Sequence, residues 1–316
     1  MAHVVLATAP GGPEVLELVE ETLEAPGPDE VRIEVRAAGV NPIDWKLYDG
    51  ARAEGAQFPR RLGFEVAGVV TEAGAQAVGP AGPVASGDEV IAFAVAGGYA
   101  DELISPATAV VPKPSTMSWD AAGGLMLAGT TAAHALVAVD LAAGETVLVH
   151  GAAGGVGVMV VQLALARGAR VIGTASERNH EYLRQLGAEP TAYGEGLAER
   201  VRALAPGGLD AAIDCVGSDE AVEVSLELVR DRARIATIVA TRRAADAGIK
   251  LLGNAPGADP GTAIRNAART ELTELASEGK LEVRTRAFAL ERVADAHREG
   301  QAGHVVGKLV LVPRLR

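Results

Sequence analysis

The residues Val147 to Gly157 (VLVHGAAGGVG) join a hydrophobic strand to a glycine-rich turn that opens a helix. Glycines at 151, 154 and 157 fit Gly-x-x-Gly-x-x-Gly, and those at 155 and 157 fit Gly-x-Gly. Such a turn lets the backbone approach a pyrophosphate, and the helix N-terminus behind it attracts the phosphate charge. The next strand ends Val171-Ile172-Gly173-Thr174-Ala175-Ser176-Glu177-Arg178. A site specific for NAD carries an acidic residue at the end of this strand, bonding the ribose 2′-hydroxyl. That place holds Gly173 and Ala175, which leave room, and Ser176, which can donate. Arg178 can pair with a 2′-phosphate. Glu177 lies beyond the strand. The pattern predicts NADPH in preference to NADH.

These residues need a scaffold, and the rest of the chain supplies one. The 316 residues suffice for two domains of ordinary size. Apolar residues make up 48% and charged residues 22%, which is globular rather than disordered. A net charge of -12 without a long basic run argues against nucleic acid and anionic membrane as partners. Aromatic residues at 3% argue against stacking platforms for single strands. The single cysteine, Cys215, builds neither an internal disulfide nor a multi-cysteine zinc site. No signal peptide or spanning segment is visible, so the expectation is a cytoplasmic protein.

Residues 1 to about 115 read as strands and turns. Val31 to Val35 alternates apolar and charged residues; Val66 to Val70 and Glu89 to Phe93 are further strand candidates. After Pro114 the pattern changes. Residues 119 to 139 read as helix, and then strands and helices alternate. The series is Thr146–His150, helix Gly155–Arg167, Arg170–Thr174, helices Arg178–Leu186 and Leu197–Leu204, Asp210–Asp214, helix Glu220–Val229, and Arg234–Ala240. This rhythm predicts an α/β fold with a doubly wound parallel sheet. A helix near Thr262–Glu278 leads to strand Glu282–Arg286, helix Leu290–Glu299 and strand Val305–Val312.

Further segments make the chain resemble a known family. They are Gly11-Gly12-Pro13-Glu14-Val15-Leu16, Ala38-Gly39-Val40-Asn41-Pro42-Ile43-Asp44 and Gly63-Phe64-Glu65-Val66-Ala67-Gly68-Val69-Val70. Gly87-Asp88-Glu89-Val90, Gly97-Gly98-Tyr99-Ala100 and Gly129-Thr130-Thr131-Ala132 follow in order. The glycine turn, Asp214-Cys215-Val216-Gly217 and Gly307-Lys308-Leu309-Val310-Leu311 complete the set. Each is weakly specific; their order and spacing over nearly the whole chain are not. The chain resembles the zinc-free quinone oxidoreductases related to zeta-crystallin, within the medium-chain dehydrogenase/reductase superfamily.

The resemblance implies a GroES-like, β-rich catalytic domain (1–116, with a C-terminal return at 256–316) and a Rossmann nucleotide-binding domain (117–255). Substrate and nicotinamide would meet between them. Zinc-dependent relatives carry Cys where Asn41 stands and His where Phe64 stands; neither replacement can ligate Zn²⁺ as a thiolate or imidazole does, so no metal is expected. The six histidines show no ligand spacing. The family's cofactor contacts map onto Pro42, Thr131, Ala153, Gly154, Gly155, Val156, Ser176, Arg178, Tyr193, Val216, Ile238, Val239, Ala240 and Lys308. Many relatives have Ser where Ala153 stands, so one hydroxyl contact to phosphate is lost.

Hydride transfer without a metal needs a donor for the charge that develops on the substrate oxygen. Asn41, Lys46 and Tyr48 are the candidate catalytic side chains, Asn41 first because it replaces the zinc ligand. Trp45, Phe64, Phe93, Tyr99 and Met126 are candidates to wall an apolar pocket for a quinone or enone. Asp44 reads as structural and Cys215 as an inert small hydrophobe. The expected activity is NADPH-dependent, metal-independent reduction of a quinone or activated alkene by a cytoplasmic homodimer. One alternative is an enoyl or 2-alkenal reductase; another, of a different class, is an NADPH-binding sensor or structural protein without useful turnover.

Overall fold

The computed structural model describes residues 1–50, 53–239 and 241–313. The chain forms two compact units, Met1–Leu127 with Arg269–Arg316, and Ala128–Ala268.

The first unit starts with β1 (Ala2–Ala7), β2 (Leu16–Glu21), β3 (Glu30–Val40), helix α1 (Pro42–Lys46) and β4 (Arg60–Arg61). Then come β5 (Glu65–Ala73), β6 (Val78–Gly79), β7 (Gly82–Pro83), β8 (Glu89–Phe93), β9 (Glu102–Pro106), β10 (Val110–Pro112), α2 (Trp119–Gly123) and the start of α3 (Met126–Ala138). Two larger sheets carry the unit, beside the short antiparallel pair β6-β7. One has order β2-β1-β4. The other is built around the long strand β3, which pairs with β9 over Glu30–Glu34, with β5 along most of its length, and with a C-terminal strand over Ala38–Val40. Inward side chains Val31, Ile33 and Val35 are fully buried, and the intervening charged ones are not, as the alternation predicts.

The second unit carries β11 (Thr146–His150), α4 (Gly155–Ala166), β12 (Arg170–Thr174), α5 (His180–Gln185), β13 (Glu189–Thr191), α6 (Leu197–Leu204) and β14 (Ala211–Asp214). It continues through α7 (Asp219–Leu228), β15 (Ile235–Thr237), α8 (Thr241–Ala247), β16 (Lys250–Leu251) and the first part of α9 (Thr262–Ser277). Its six strands are parallel, in the order β13-β12-β11-β14-β15-β16. The order reverses between β11 and β14, the point where doubly wound sheets bind ligands at their C-terminal edge. Both sheet faces are covered, so β11 reads as an apolar run rather than an alternation. Leu148 and Ile172 have no exposed surface, each worth about 1.5–3 kcal/mol of burial.

The chain then returns to the first unit with β17 (Thr285–Ala289), α10 (Val293–Gln301) and β18 (Lys308–Val312). Strand β18 pairs antiparallel with β3, and β17 lies outside it. The expected strand Glu282–Arg286 is displaced to Thr285–Ala289. The expected helix 119–139 is two helices, because Gly123 packs so closely on β3 that a Cβ would stand 2.7 Å from the Ala37 Cβ. That packing keeps α2 with the first unit, past the expected limit at 116. At the other limit, residue 259 pairs with the backbone around β16, keeping the residues after 255 in the second unit.

Candidate functional sites in the two units

In the second unit β11 delivers the chain to Gly151, at φ 70°, whose N–H donates to Thr174 Oγ1 at 3.2 Å. The Ala152 N–H donates to the Thr174 carbonyl at 3.0 Å, fastening the turn to β12. A Cβ on Gly157 would stand 2.2 Å from the Gly151 carbonyl oxygen, so this glycine sets how closely α4 approaches the turn. A Cβ on Gly154 would stand 3.4 Å from that oxygen, in ordinary contact. Gly154 is the N-cap of α4 and provides no side-chain cap, and the first turn carries no acidic residue. The first N–H groups of α4 therefore face outward with the positive end of the helix dipole. Ala153, Gly154, Gly155 and Val156 are the residues at that end.

The other expected cofactor residues follow the C-terminal ends of the neighbouring strands. Past β12, Ser176 is half-buried and accepts from Asn179 Nδ2 at 3.2 Å, which leaves its hydroxyl hydrogen to donate. Arg178 is exposed. Past β13, Tyr193 is 61% exposed, and past β14, Val216 is 50% exposed. Asp214, buried at the end of β14, shapes that edge: its Oδ1 accepts from the N–H groups of Val216 (2.8 Å) and Gly217 (2.9 Å), and its Oδ2 from Thr237 Oγ1 (2.8 Å). A carboxylate ending an apolar parallel strand is the sequence signal for this role of Asp214. Past β15, the Ile238 N–H goes to the Asp214 carbonyl and the Val239 N–H to Thr237 Oγ1, so both amide donors are already in use. Of Ile238 and Val239, the carbonyls are left to meet a carboxamide. Ala240 lies outside the described residues. Thr131 is buried in α3. Burial raises the Cys215 thiol, and Asp214 raises it further, in keeping with an inert role.

The first unit gathers a different set of groups. Lys308, at the start of β18, is buried and donates to the Val40 carbonyl (3.1 Å), to Asn41 Oδ1 and to Glu65 Oε1 (3.0 Å). Those three bonds use all three ammonium hydrogens. Asn41 Nδ2 donates to the Gly39 carbonyl (3.2 Å) and to Glu65 Oε1 (3.0 Å). Because a lysine can only donate, the Asn41 oxygen must be the atom that faces it, which fixes the amide orientation. Glu65 Oε2 accepts from the Leu127 N–H (2.8 Å) in the first turn of α3. Glu65 was missed as a functional candidate; its signal was a lone carboxylate in the apolar run Phe64-Glu65-Val66-Ala67. Gly39 is required there, since a Cβ would stand 2.3 Å from Glu65 Oε1.

Beside this cluster runs a buried chain of hydrogen bonds. Tyr48 Oη meets His297 Nδ1 at 2.6 Å, His297 Nε2 meets Tyr99 Oη at 3.1 Å, and the Tyr99 hydroxyl donates to Asp44 Oδ2 at 2.8 Å. Asp44 also accepts from the N–H groups of Asn41 (2.7 Å) and Gly63 (3.1 Å). Burial outweighs these bonds and the nearby Lys308 charge, and raises the Asp44 carboxyl to about 7. Burial lowers His297 to about 4, so its imidazole is neutral at pH 7. Burial also holds Tyr99 well above its usual value and raises Tyr48.

These contacts correct several expectations. Asn41 has no hydrogen left for a substrate oxygen, because both are bound inside the cluster. Tyr48 is fully buried and engaged with His297, so it is not placed to serve as a general acid. Tyr99 and Met126 have no exposed surface, Phe93 is 8% exposed, and Trp45 packs edge-on against His297. Tyr99, Met126 and Phe93 belong to packed interior rather than to an open wall, while Trp45 and Phe64 are half-buried. Lys46, on α1, is half-buried, and Pro42 is exposed at the helix start. Lys308 meets Asn41 as its neighbour, a pairing that sequence separation concealed.

A GroES-like unit together with a doubly wound, glycine-turn sheet defines a two-domain dehydrogenase/reductase. Residues 27–115 match the alcohol dehydrogenase GroES-like domain, and residues 155–253 match the zinc-binding dehydrogenase domain. The quinone oxidoreductase of Pseudomonas aeruginosa is 33% identical over 336 residues, covering 99% of this chain and 100% of that protein. The quinone oxidoreductase of Rattus norvegicus is 37% identical over 182 residues, covering 56% of this chain and 54%, about half, of that protein. Among solved structures, the Escherichia coli quinone oxidoreductase complexed with NADPH has a TM-score of 0.84 at 25% identity, covering 99% of this chain and 100% of that one. The CurK enoyl reductase has a TM-score of 0.86 at 26% identity, covering 99% of each chain. The chain belongs to the quinone oxidoreductase family of the medium-chain dehydrogenase/reductase superfamily.

The name of the second domain raises the question of zinc. Among the described residues no group of three or more His, Cys, Asp or Glu side chains is placed to hold a metal ion. The Asn41 oxygen is already taken by the Lys308 ammonium. The residues present do not fit zinc, and no step is drawn through it. They do fit a dinucleotide: the turn at 151–157 is open backbone at a helix N-terminus, and exposed Tyr193, Val216 and Val239 border the same sheet edge. Among the described residues no helix is long and apolar enough to cross a membrane.

Proposed function

We propose that the protein is an NADPH-dependent, metal-independent oxidoreductase that delivers hydride to a quinone or another activated alkene. The observation that carries this is the C-terminal edge of the parallel sheet. There an uncapped helix N-terminus, a half-buried serine and an exposed arginine replace the carboxylate an NAD site would show. NADPH supplies hydride from C4 of its nicotinamide when bound. Gly155 and Val156 would hold the pyrophosphate with backbone N–H groups, beside Gly154, whose own N–H closes the turn on the Gly151 carbonyl at 3.0 Å. Ser176 and Arg178 would bind the 2′-phosphate, with Tyr193 beside them. The carbonyls of Ile238 and Val239 would orient the carboxamide, and Val216 would border the adenine or ribose.

On the catalytic side, the Lys308–Asn41–Glu65 cluster and the Asp44–Tyr99–His297–Tyr48 chain hold the β3–α1 segment rigid. Of the three side chains expected to donate to the substrate, Asn41 and Tyr48 are engaged inside this network. A 2-enoyl or 2-alkenal substrate is the second reading, favoured by the likeness to the CurK enoyl reductase. Cytoplasmic location and a homodimer belong to the same proposal, with the edge strand β16 as the seam. Calorimetry with NADPH and NADH tests the cofactor reading: tighter binding of NADPH supports it, and equal or tighter binding of NADH overturns it.

A further inference from the structure

Tyr193 is the most exposed aromatic residue among the large hydrophobic side chains at the surface, yet its loop is tightly held. Arg200, on α6, reaches back to it. Its Nη2 donates to the carbonyls of Ala192 and Gly194, both at 2.9 Å, and its Nη1 to the carbonyl of Glu195 at 2.6 Å. The guanidinium thus grips the backbone on both sides of Tyr193. From α7, the Glu220 carboxylate takes the Gly194 N–H with both oxygens, at 2.9 and 3.1 Å. Gly194 and Gly196 hold φ values of 96° and 77°, which let the loop make this turn.

The loop also has a fixed place. Thr174 of β12 and Thr191 of β13 are register partners, and Tyr193 and Ser176 each stand two residues beyond that pair. The Ala175 N–H donates to the Thr191 carbonyl at 3.0 Å, locking the two strand ends together. An arginine that takes three carbonyls of one loop, with a carboxylate on its central N–H, orders backbone that would otherwise be free to move. Ordering an exposed aromatic ring in advance lowers the entropic cost of stacking a ligand on it.

We infer that Arg200 and Glu220 are positioning residues for the cofactor: they hold Tyr193 as a fixed wall for the adenosine 2′-phosphate end of NADPH. Neither touches the cofactor; both act through the loop. The inference rests on the NADPH reading above.

The test is calorimetric binding of 2′,5′-ADP, which carries only that end of the cofactor, to the full chain and its variants. Tyr193→Ala weakens binding about five- to tenfold, the size expected for loss of one stacking partner. Arg200→Met produces a comparable loss, and Arg200→Lys, which cannot span three carbonyls, a smaller one. The double variant Tyr193→Ala/Arg200→Met binds no worse than Tyr193→Ala alone, because the two act through one contact. Additive losses in the double variant, or unchanged binding in either single variant, overturn the inference. If Arg200→Met does not fold, Glu220→Gln and Arg200→Lys take its place in the same cycle with Tyr193→Ala. Failure of the unaltered chain to bind NADPH overturns the cofactor reading itself, and is distinguishable from every outcome above.

Discussion

Lys308 donates its ammonium to Asn41 Oδ1, tying the first residue of β18 to the residue between β3 and α1. The contact converts an expected substrate donor into part of a closed polar cluster. It also sets a buried positive charge directly against Asn41.

Removing the lysine should therefore cost more than a surface ion pair. Lys308→Met leaves Glu65 buried without its counter-charge and orphans the Asn41 oxygen. Urea unfolding should show a loss of about 3–5 kcal/mol. Glu65→Gln added to Lys308→Met should restore part of it, since the uncompensated charge is gone. A loss below 1 kcal/mol in the single variant would mean that the cluster is solvated.

The raised Asp44 carboxyl makes a pH prediction whose sign can be worked out. A carboxyl whose folded value (about 7) exceeds its usual 3.8 stabilises the fold fully below 3.8. That contribution is lost as pH rises through 7. His150 and His297, both lowered by burial to about 4 from 6.5, act in the opposite sense: their contribution is present above 6.5 and lost as pH falls through 4. Asp44→Asn removes the carboxyl alone, so its stability should climb more steeply with pH between 4 and 6.5 than that of the unaltered chain. The expected difference in slope is about 1.4 kcal/mol per pH unit. Parallel curves from denaturant midpoints across that range would contradict a raised Asp44.

Two glycines of the turn separate folding from binding. Gly157→Ala places a Cβ 2.2 Å from the Gly151 carbonyl and should lower the thermal midpoint. Gly154→Ala meets nothing closer than 3.4 Å, so the midpoint should hold while NADPH binding weakens, because the methyl group intrudes on the proposed pyrophosphate position. Unchanged NADPH affinity in Gly154→Ala, read by calorimetry, would move the pyrophosphate elsewhere.

Arg178 is exposed, and its replacement should leave the fold alone. Arg178→Ala should bind NADPH about tenfold more weakly and NADH equally well, the loss expected for one charge-assisted contact to phosphate. An unaltered NADPH/NADH affinity ratio would remove Arg178 from the 2′-phosphate site.

The parallel sheet was legible because its strands are short apolar runs between helices, and the glycine turn sits where that alternation begins. Strand β13 escaped notice: it is three residues long, contains Pro190, and carries no alternation. The C-terminal edge of the parallel sheet was readable because the loops along it each follow a strand end, so local order in the sequence is order in space. The polar network was not. Tyr48 and His297 are 249 positions apart, and Lys308 and Asn41 are 267 apart. No local pattern indicates which distant partner satisfies a buried side chain. The aromatic residues suffered the same way: Tyr99 and Trp45 look like pocket walls, and Tyr48 like a proton donor, until His297 appears among them.

Absorbance of NADPH, followed beside NADH with 1,4-benzoquinone, a 2-enal and a 2-enoyl thioester as acceptors, tests the proposed activity most directly. The account predicts acceptor-dependent oxidation of NADPH, faster than that of NADH, without added metal. Binding of NADPH with no oxidation by any of the three acceptors, or faster oxidation of NADH, would contradict it.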